Sequence, residues 1–258
     1  MPNDILDTNG YISSDNLKTQ DTVDKISQWT TSKKMKLNIK KSSLMCFNFT
    51  RNYQFTTRVK VEGQTLPILE KTKLLGVIVT NDIKWSENTK SIIKRANSRM
   101  DILRKLVPFG PPLEDMKLIY ISYIRSVLEQ SCTIWHSSLI EEDRISLERV
   151  QKNAFRNILQ DKYISYENAL VILGMETLHE RREKLLLKFG LKCTQVKETK
   201  DLFPLKKTQC ILKTRHPEKY EVYKSHTERM KLSTVPYLQR MLNDFEKKKS
   251  EKRTPGHR

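Results

Sequence analysis

The chain has 258 residues, of which 37% are hydrophobic and 30% are charged, and its formal net charge is +18. No apolar run approaches the ~20 residues of a spanning helix, which excludes a membrane-embedded protein. The hydrophobic content suffices for a core, which argues against a fully disordered chain.

The first ten residues, MPNDILDTNG, are polar and acidic, unlike a signal peptide. The four cysteines are widely spaced, as is typical of reduced thiols. We therefore expect a cytoplasmic or nuclear protein that is not secreted.

The basic excess is unevenly distributed. Residues up to Asp24 include five Asp and a single Lys, so the net positive charge of the chain comes from the residues after them. A basic body of this size indicates a polyanionic partner, most simply nucleic acid. The alternative interpretation is a solvated basic surface that keeps the protein soluble.

Up to Trp85 the patterns predict one helix followed by strands. A loose apolar stripe indicates a helix over Asp15–Ser32. The apolar run Leu74–Val79 is typical of a single buried strand, and Glu62-Gly63 separates two short apolar runs as in a hairpin. We expect strands at about Ser43–Phe49, Arg58–Val61, Gln64–Leu69 and Lys73–Thr80.

From Ser86 onward the apolar spacing is helical. Ser86 is expected to cap a helix that ends near Leu106, before Pro108. Tyr120 and Tyr123 should face the core from the next helix, which Pro111-Pro112 opens. The further helices are expected at Glu142–Ile158, with Ile145 facing inward, and at SYENALVIL, HERREKLLLKFGLKC and TVPYLQRMLNDF.

The predicted fold class is α+β, with a small N-terminal sheet or hairpin, a mostly helical region and a disordered basic tail. The expected segments are 1–85 with the helix and strands, 86–196 with most helices, 197–233 as a linker, and 234–258 with the last helix and the tail EKKKSEKRTPGHR. The stretch Lys197–His216 is polar and weakly patterned, which favours the linker interpretation.

The common catalytic and cofactor signatures are absent from the sequence. It contains no phosphate-binding glycine loop, no G-x-S-x-G and no H-E-x-x-H. The nearest approach to a metal set is Cys193, Cys210, His216 and His226, whose spacing matches no common zinc finger. We expect no metal site, no bound cofactor and no small-molecule substrate.

Five stretches, in order along the chain, resemble the second half of the reverse transcriptase of non-LTR (LINE-type) retrotransposons. They are ISQWTTSKKMKLNIKKSSLM (Ile26–Met45), KTKLLGVIVTNDIKWSENT (Lys71–Thr89), LIYISYIRSVLEQSCTIWHSSL (Leu118–Leu139), ERVQKNAFRNILQDKYISYENAL (Glu148–Leu170) with its continuation to Cys193, and TERMKLSTVPYLQRMLN (Thr227–Asn243). Gln130 stands where a tyrosine is usual. The resemblance implies that 1–85 is the residual end of a polymerase palm and 86–196 a thumb-like region.

The catalytic acids of that family are missing from this sequence. RNA-directed DNA polymerases of this kind hold two Mg²⁺ ions with an Asp-Asp strand and an earlier Asp. The chain has no Asp-Asp dipeptide, and few residues precede Asp15. We therefore expect a truncated transposable element or a partial gene model that is inactive alone. An upstream half that carried the acids would restore the enzyme.

The resemblance also implies nucleic-acid-binding residues. Lys41 falls in the motif that lies near the phosphates of the incoming nucleotide; a solvated surface lysine is the alternative. Lys90, Lys94, Arg95 and Arg99 fall on the thumb-like helix, which tracks the RNA or DNA template–primer duplex through its phosphates. These four cations lie off the apolar stripe of their helix, so we expect their neutralisation to leave the fold intact. An ordinary amphipathic helix is the alternative.

Two functions from different classes follow from the sequence. The first is a catalytically inactive reverse-transcriptase segment that binds RNA or DNA, with no membrane partner. The second is an interaction or scaffold protein built on the helices, whose charge serves solubility. Salt-dependent binding to a duplex distinguishes them.

Overall fold

The computed structural model describes residues 13–47, 58–206 and 219–253, and its fold is α+β, as the sequence predicts. In these ranges helices dominate, and the strands form two antiparallel two-stranded sheets. The chain divides into two compact units, Met1–Lys84 and Trp85–Arg258. No helix in the described ranges combines the length and apolarity needed to cross a bilayer.

The first described element of the first unit is helix α1 (Ser13–Ser32), which confirms the predicted helix. Strands β1 (Lys60–Val61) and β2 (Gln64–Thr65) pair around Glu62-Gly63, whose φ angles of 49° and 80° fit a type I′ turn. The side-chain amide of Gln20 on α1 donates to Lys60 O at 2.8 Å and accepts from Lys60 N at 2.9 Å. This pair of bonds fastens α1 to β1. The unit's core comprises Val59, Val61 and Leu66, with Val23, Leu37, Ile39 and Leu44 packed against it.

The single buried strand predicted around Leu74–Val79 is wrong. The chain forms a hairpin instead, with β3 (Lys71–Leu74) paired to β4 (Val77–Thr80). Leu75 and Gly76 have φ angles of 48° and 88°, again a type I′ turn, and Leu75 is 92% exposed. Gly76 tolerates this conformation because it has no Cβ. The turn at Leu75-Gly76 reverses the direction of the chain, so the apolar run is divided between two paired strands.

The predicted strand Ser43–Phe49 is reduced, within the described residues, to an isolated parallel bridge between Leu44 and Ile68. Its last two residues lie outside the described ranges. The strand predicted from the alternation of apolar side chains is therefore wrong for residues 43–47, where the hydrogen-bond ladder that defines a strand does not form and Phe47 is exposed.

The second unit is helical. Its helices are α2 (Ser86–Leu106), α3 (Leu113–Ile119), α4 (Ser126–Leu128), α5 (Cys132–Trp135), α6 (Glu141–Leu159), α7 (Tyr166–Leu173), α8 (Leu178–Cys193), α9 (Lys197–Lys200), α10 (Glu228–Lys231) and α11 (Thr234–Arg253). Helix α2 packs its buried stripe of Ile92, Ala96, Met100 and Leu103 toward the other helices, with α6 as its main neighbour. The switch from strands to helices near Trp85 is therefore confirmed.

Three local expectations in this unit differ from the structure. Ser86 does not cap α2; its hydroxyl donates to Asp143 Oδ2 on α6 at 2.7 Å. A π-helical segment (Tyr120–Arg125) joins α3 to α4, and in it Ile124 is buried while Tyr123 is exposed. The wider π turn changes which side chain faces inward relative to a 3.6-residue repeat. Ile145 is likewise exposed, and Leu147 takes the buried position on α6.

The segment predicted as a linker contributes to a core. Phe203 and Tyr220 are buried in a cluster with Leu186 of α8 and Leu238 of α11. Asn243 of α11 accepts from Tyr220 N at 2.9 Å and donates to Tyr220 O at 3.0 Å. The described parts of 197–233 therefore pack on α8 and α11, while 207–218 lies outside the described ranges.

Helix α11 extends to Arg253, into the tail that the sequence predicted to be disordered. Its Lys-rich and Glu-rich composition is compatible with a helix, since both residue types have good helix propensity. Residues 254–258 lie outside the described ranges.

Candidate nucleic-acid interface

Lys41 belongs to the first unit and ends a short 3-10 helix (Ile39–Lys41). Its backbone N–H donates to the side-chain oxygen of Asn38, which caps that turn at 3.2 Å. The Lys41 side chain is exposed to solvent. The turn thus fixes the backbone of Lys41 and leaves its ammonium group accessible.

Lys90 and Lys94 project from α2 on the side away from its buried stripe, and both are exposed. Lys90 Nζ lies 3.1 Å from Glu87 Oε1, an exposed pair in which water screens much of the attraction. Within the described residues, no ion pair or hydrogen bond involves the ammonium group of Lys94. These two lysines are the predicted cations of α2 that solvent, and hence a polyanion, reaches freely.

Arg95 is engaged inside the unit. Its Nη1 donates to Gln130 Oε1 at 2.7 Å, across the turn that follows α4. Its Nε is buried and has no hydrogen-bond partner among the described residues. The guanidinium therefore braces α2 against that turn and offers only part of its donor set to a ligand.

Arg99 is also engaged inside the unit. Its Nη1 donates to the carbonyl oxygen of Tyr123 at 2.7 Å, and its guanidinium carbon lies 4.6 Å from the centroid of the Tyr123 ring. This is a hydrogen bond combined with a cation–π contact. Arg95 and Arg99 thus both join α2 to its neighbours, so we expect their neutralisation to cost stability, in contrast to that of Lys90 and Lys94. That the fold survives the neutralisation of all four cations stays a prediction.

Helix α6 presents a second basic face. Arg149 and Arg156 are exposed and Lys152 is half-buried. Lys152 Nζ lies 4.8 Å from the centroid of the Tyr166 ring, and the Arg156 guanidinium lies 5.3 Å from that of Tyr163. Two of these three cations therefore stack on tyrosine rings, and Arg149 extends into solvent.

Beneath these faces lies a polar network that sequence reasoning missed. The buried Tyr120 hydroxyl donates to Gln151 Oε1 at 2.6 Å, and Gln151 Nε2 donates to Tyr166 Oη at 2.7 Å. The Tyr166 hydroxyl donates in turn to Glu148, which also accepts from Leu178 N at 3.0 Å. Burial raises the pKa of both tyrosines. The sequence signal that could have revealed this network is Gln151, a polar residue beside the apolar stripe of α6.

Arg182 on α8 is almost completely buried and lies over Trp135, with its guanidinium carbon 5.5 Å from the ring centroid. Burial lowers the pKa of this guanidinium, and the nearby Glu148 carboxylate opposes that shift. A buried guanidinium without full hydrogen bonding is costly. Arg182 is therefore a structural group and takes no part in either exposed basic face.

A second cluster that the sequence did not reveal joins the turn after α5 to α8 and α11. The buried His136 places Nε2 3.0 Å from Glu183 Oε1, which also accepts from the Tyr237 hydroxyl at 2.9 Å. Burial lowers the pKa of His136, although Glu183 opposes this. Burial and the same carboxylate raise the pKa of Tyr237 to about 12. The ring of His179 lies 5.2 Å from that of His136, centroid to centroid.

The residues considered as a metal set are not assembled where the structure describes them. Cys193 is buried in the core cluster with Leu186 and Phe203, and His226 is exposed. Cys210 and His216 lie outside the described ranges. Comparisons of the chain with protein-family models, with curated proteins and with solved structures found no match. A functional proposal therefore rests on the sequence resemblance and on the geometry described above.

Proposed function

We propose that the chain is a truncated segment of a non-LTR retrotransposon reverse transcriptase, with the palm end, the thumb-like region and the C-terminal region, and that it binds a nucleic-acid duplex without sequence preference. The five stretches that resemble this family, in order along the chain, support the ancestry. The observation behind duplex binding is the pair Lys90 and Lys94, two exposed lysines one helical turn apart on helix α2. A phosphate backbone requires no more than long, accessible cations, and such contacts do not report sequence.

The net charge of +18 adds a long-range attraction for any polyanion. The stems of Lys90 and Lys94 start about 6 Å apart on one helix face, and their flexible side chains reach separate phosphates. Arg95 and Arg99 support this pair indirectly, because they hold α2 against Gln130 and Tyr123. In this proposal the two lysines bind the phosphates, and the two arginines hold α2 in position.

This chain has no polymerase activity of its own under the proposal. Phosphoryl transfer to a primer needs carboxylates that hold two Mg²⁺ ions, and the sequence contains no Asp-Asp dipeptide. Primer extension with Mg²⁺ or Mn²⁺ should therefore give no product above buffer. Robust extension by the purified chain would contradict this part of the proposal.

The test compares two double variants that change the charge equally. Lys90→Gln/Lys94→Gln removes the proposed contacts. Lys188→Gln/Lys192→Gln is the matched control, because these two exposed lysines also lie four residues apart on a helix, α8. The measurement is the affinity for an RNA–DNA duplex as a function of salt concentration.

Each phosphate contact contributes a slope of about 0.9 in a plot of log K against log salt. Loss of two contacts should therefore reduce the slope by roughly 1.8 in the α2 variant, while the α8 control keeps the wild-type slope. An equal, small reduction of the slope in both variants would mean that binding depends only on the overall charge of the protein. An unchanged slope in both would move the interface elsewhere, most directly to Arg149 and Arg156 on α6.

A further inference from the structure

The side chains of His136, His179 and Glu183 form a cluster whose ligand atoms all lie within 4.8 Å of one another. We infer that this cluster binds a divalent transition metal ion, with Zn²⁺ the best fit to its donors. Two imidazoles and one carboxylate supply nitrogen and oxygen ligands, a set that zinc accepts when a fourth position is filled by water. The site is separate from the proposed duplex-binding lysines.

The fold brings the three donors together from two places in the chain. His179 and Glu183 are four residues apart on α8, so they share one face of that helix. His136 approaches the same face from the turn after α5, and its Nε2 is already 3.0 Å from Glu183 Oε1. Ligands around a tetrahedral zinc are separated by about 3.4 Å, given bond lengths near 2.1 Å. Because His179 is exposed, its ring can turn toward the other two donors.

The surroundings set the strength of the site. The Tyr237 hydroxyl donates to Glu183 at 2.9 Å and orients that carboxylate. Zinc at Nε2 of His136 fixes the ring proton on Nδ1, which is buried and has no partner among the described residues. A missing outer hydrogen bond of this kind lowers metal affinity by about 10–100-fold. We therefore expect binding of moderate affinity, open to solvent on the His179 side.

The experiment is calorimetric titration of the folded full chain with Zn²⁺, accompanied by Co²⁺ absorption spectra. The expected result is one ion per chain and a four- or five-coordinate cobalt spectrum. His179→Ala should weaken binding at least tenfold, and because His179 is exposed this variant should fold. Glu183→Gln keeps the side-chain volume and should have a similar effect. His226→Ala, which removes another exposed histidine, is the matched control and should bind as wild type does.

Three results would overturn the inference. They are the absence of saturable binding by the wild type, equal affinities of wild type and His179→Ala, and a cobalt spectrum with a thiolate charge-transfer band. The last would place the ion on a cysteine instead of on the His136–His179–Glu183 cluster.

Discussion

Replacing Tyr120 by Phe removes one hydroxyl from the interior of the second unit. That hydroxyl donates to Gln151 Oε1 at 2.6 Å, and both side chains are fully buried. The Phe ring still fits, because the edge-to-face contact with Phe155 (5.4 Å between centroids) does not involve the hydroxyl. The change therefore isolates a single hydrogen bond in the core.

The cost follows from the acceptor that the variant leaves behind. A buried polar group without its partner costs about 1–3 kcal/mol, so we expect Tyr120→Phe to lose about 2 kcal/mol of unfolding free energy. For a unit of this size, each kcal/mol corresponds to roughly 2–4 °C in Tm. The variant should therefore melt about 4–8 °C below wild type.

Urea denaturation of the full chain measures this loss, with an unchanged m-value because the surface exposed on unfolding is unchanged. Tyr123→Phe is the matched control: its side chain is exposed, and its free energy of unfolding should stay within about 0.5 kcal/mol of wild type. A Tyr120→Phe variant as stable as this control would refute the buried network.

Three further predictions concern other parts of the chain. In Gly190→Ala the new Cβ would lie 2.8 Å from Leu238 Cδ2. Overpacking costs about 1–3 kcal/mol, which should outweigh the gain of about 1 kcal/mol in helix propensity, so urea denaturation should show a lower free energy of unfolding. Burial raises the pKa of Cys132 to about 11, so mass spectrometry after a native alkylation pulse near neutral pH should find it unmodified, whereas denatured protein should be labelled. Burial raises the pKa of Asp82, but hydrogen bonds from Lys84 and Thr80 outweigh it and lower the pKa to about 2. The stability that this carboxylate contributes should therefore persist above pH 4 and be lost as pH falls through 2, and an NMR titration midpoint near 3.8 would contradict this.

The helices were predictable because their signals are local. The boundaries of α2 follow from the apolar repeat that includes Ile92 and Met100 and from Pro108 just beyond its end. The hairpin of β3 and β4 was not predictable in the same way. Its turn requires a positive φ at Leu75, and a leucine gives no sign of that conformation, so the apolar run favoured a continuous strand.

The candidate interface was predictable only in part. A helical repeat shows that Lys94, Arg95 and Arg99 lie off the buried stripe, but it does not show which other element covers their flank. The partners of the two arginines, Gln130 and Tyr123, are 35 and 24 residues away along the chain. The Tyr120–Gln151 hydrogen bond also joins residues that are far apart along the chain, so no local pattern predicts it. The packing of Phe203 was not predictable either, because the sequence around it has no periodic pattern.

Duplex binding by the wild-type chain is the claim on which the account depends most. The measurement is the affinity for two RNA–DNA duplexes of unrelated sequence between about 50 and 200 mM salt. We predict equal affinities for the two duplexes and a linear fall of log K with log salt, with a slope steeper than about 1.8 if contacts beyond Lys90 and Lys94 contribute. No measurable affinity for either duplex at the lowest salt would contradict it and favour the scaffold function.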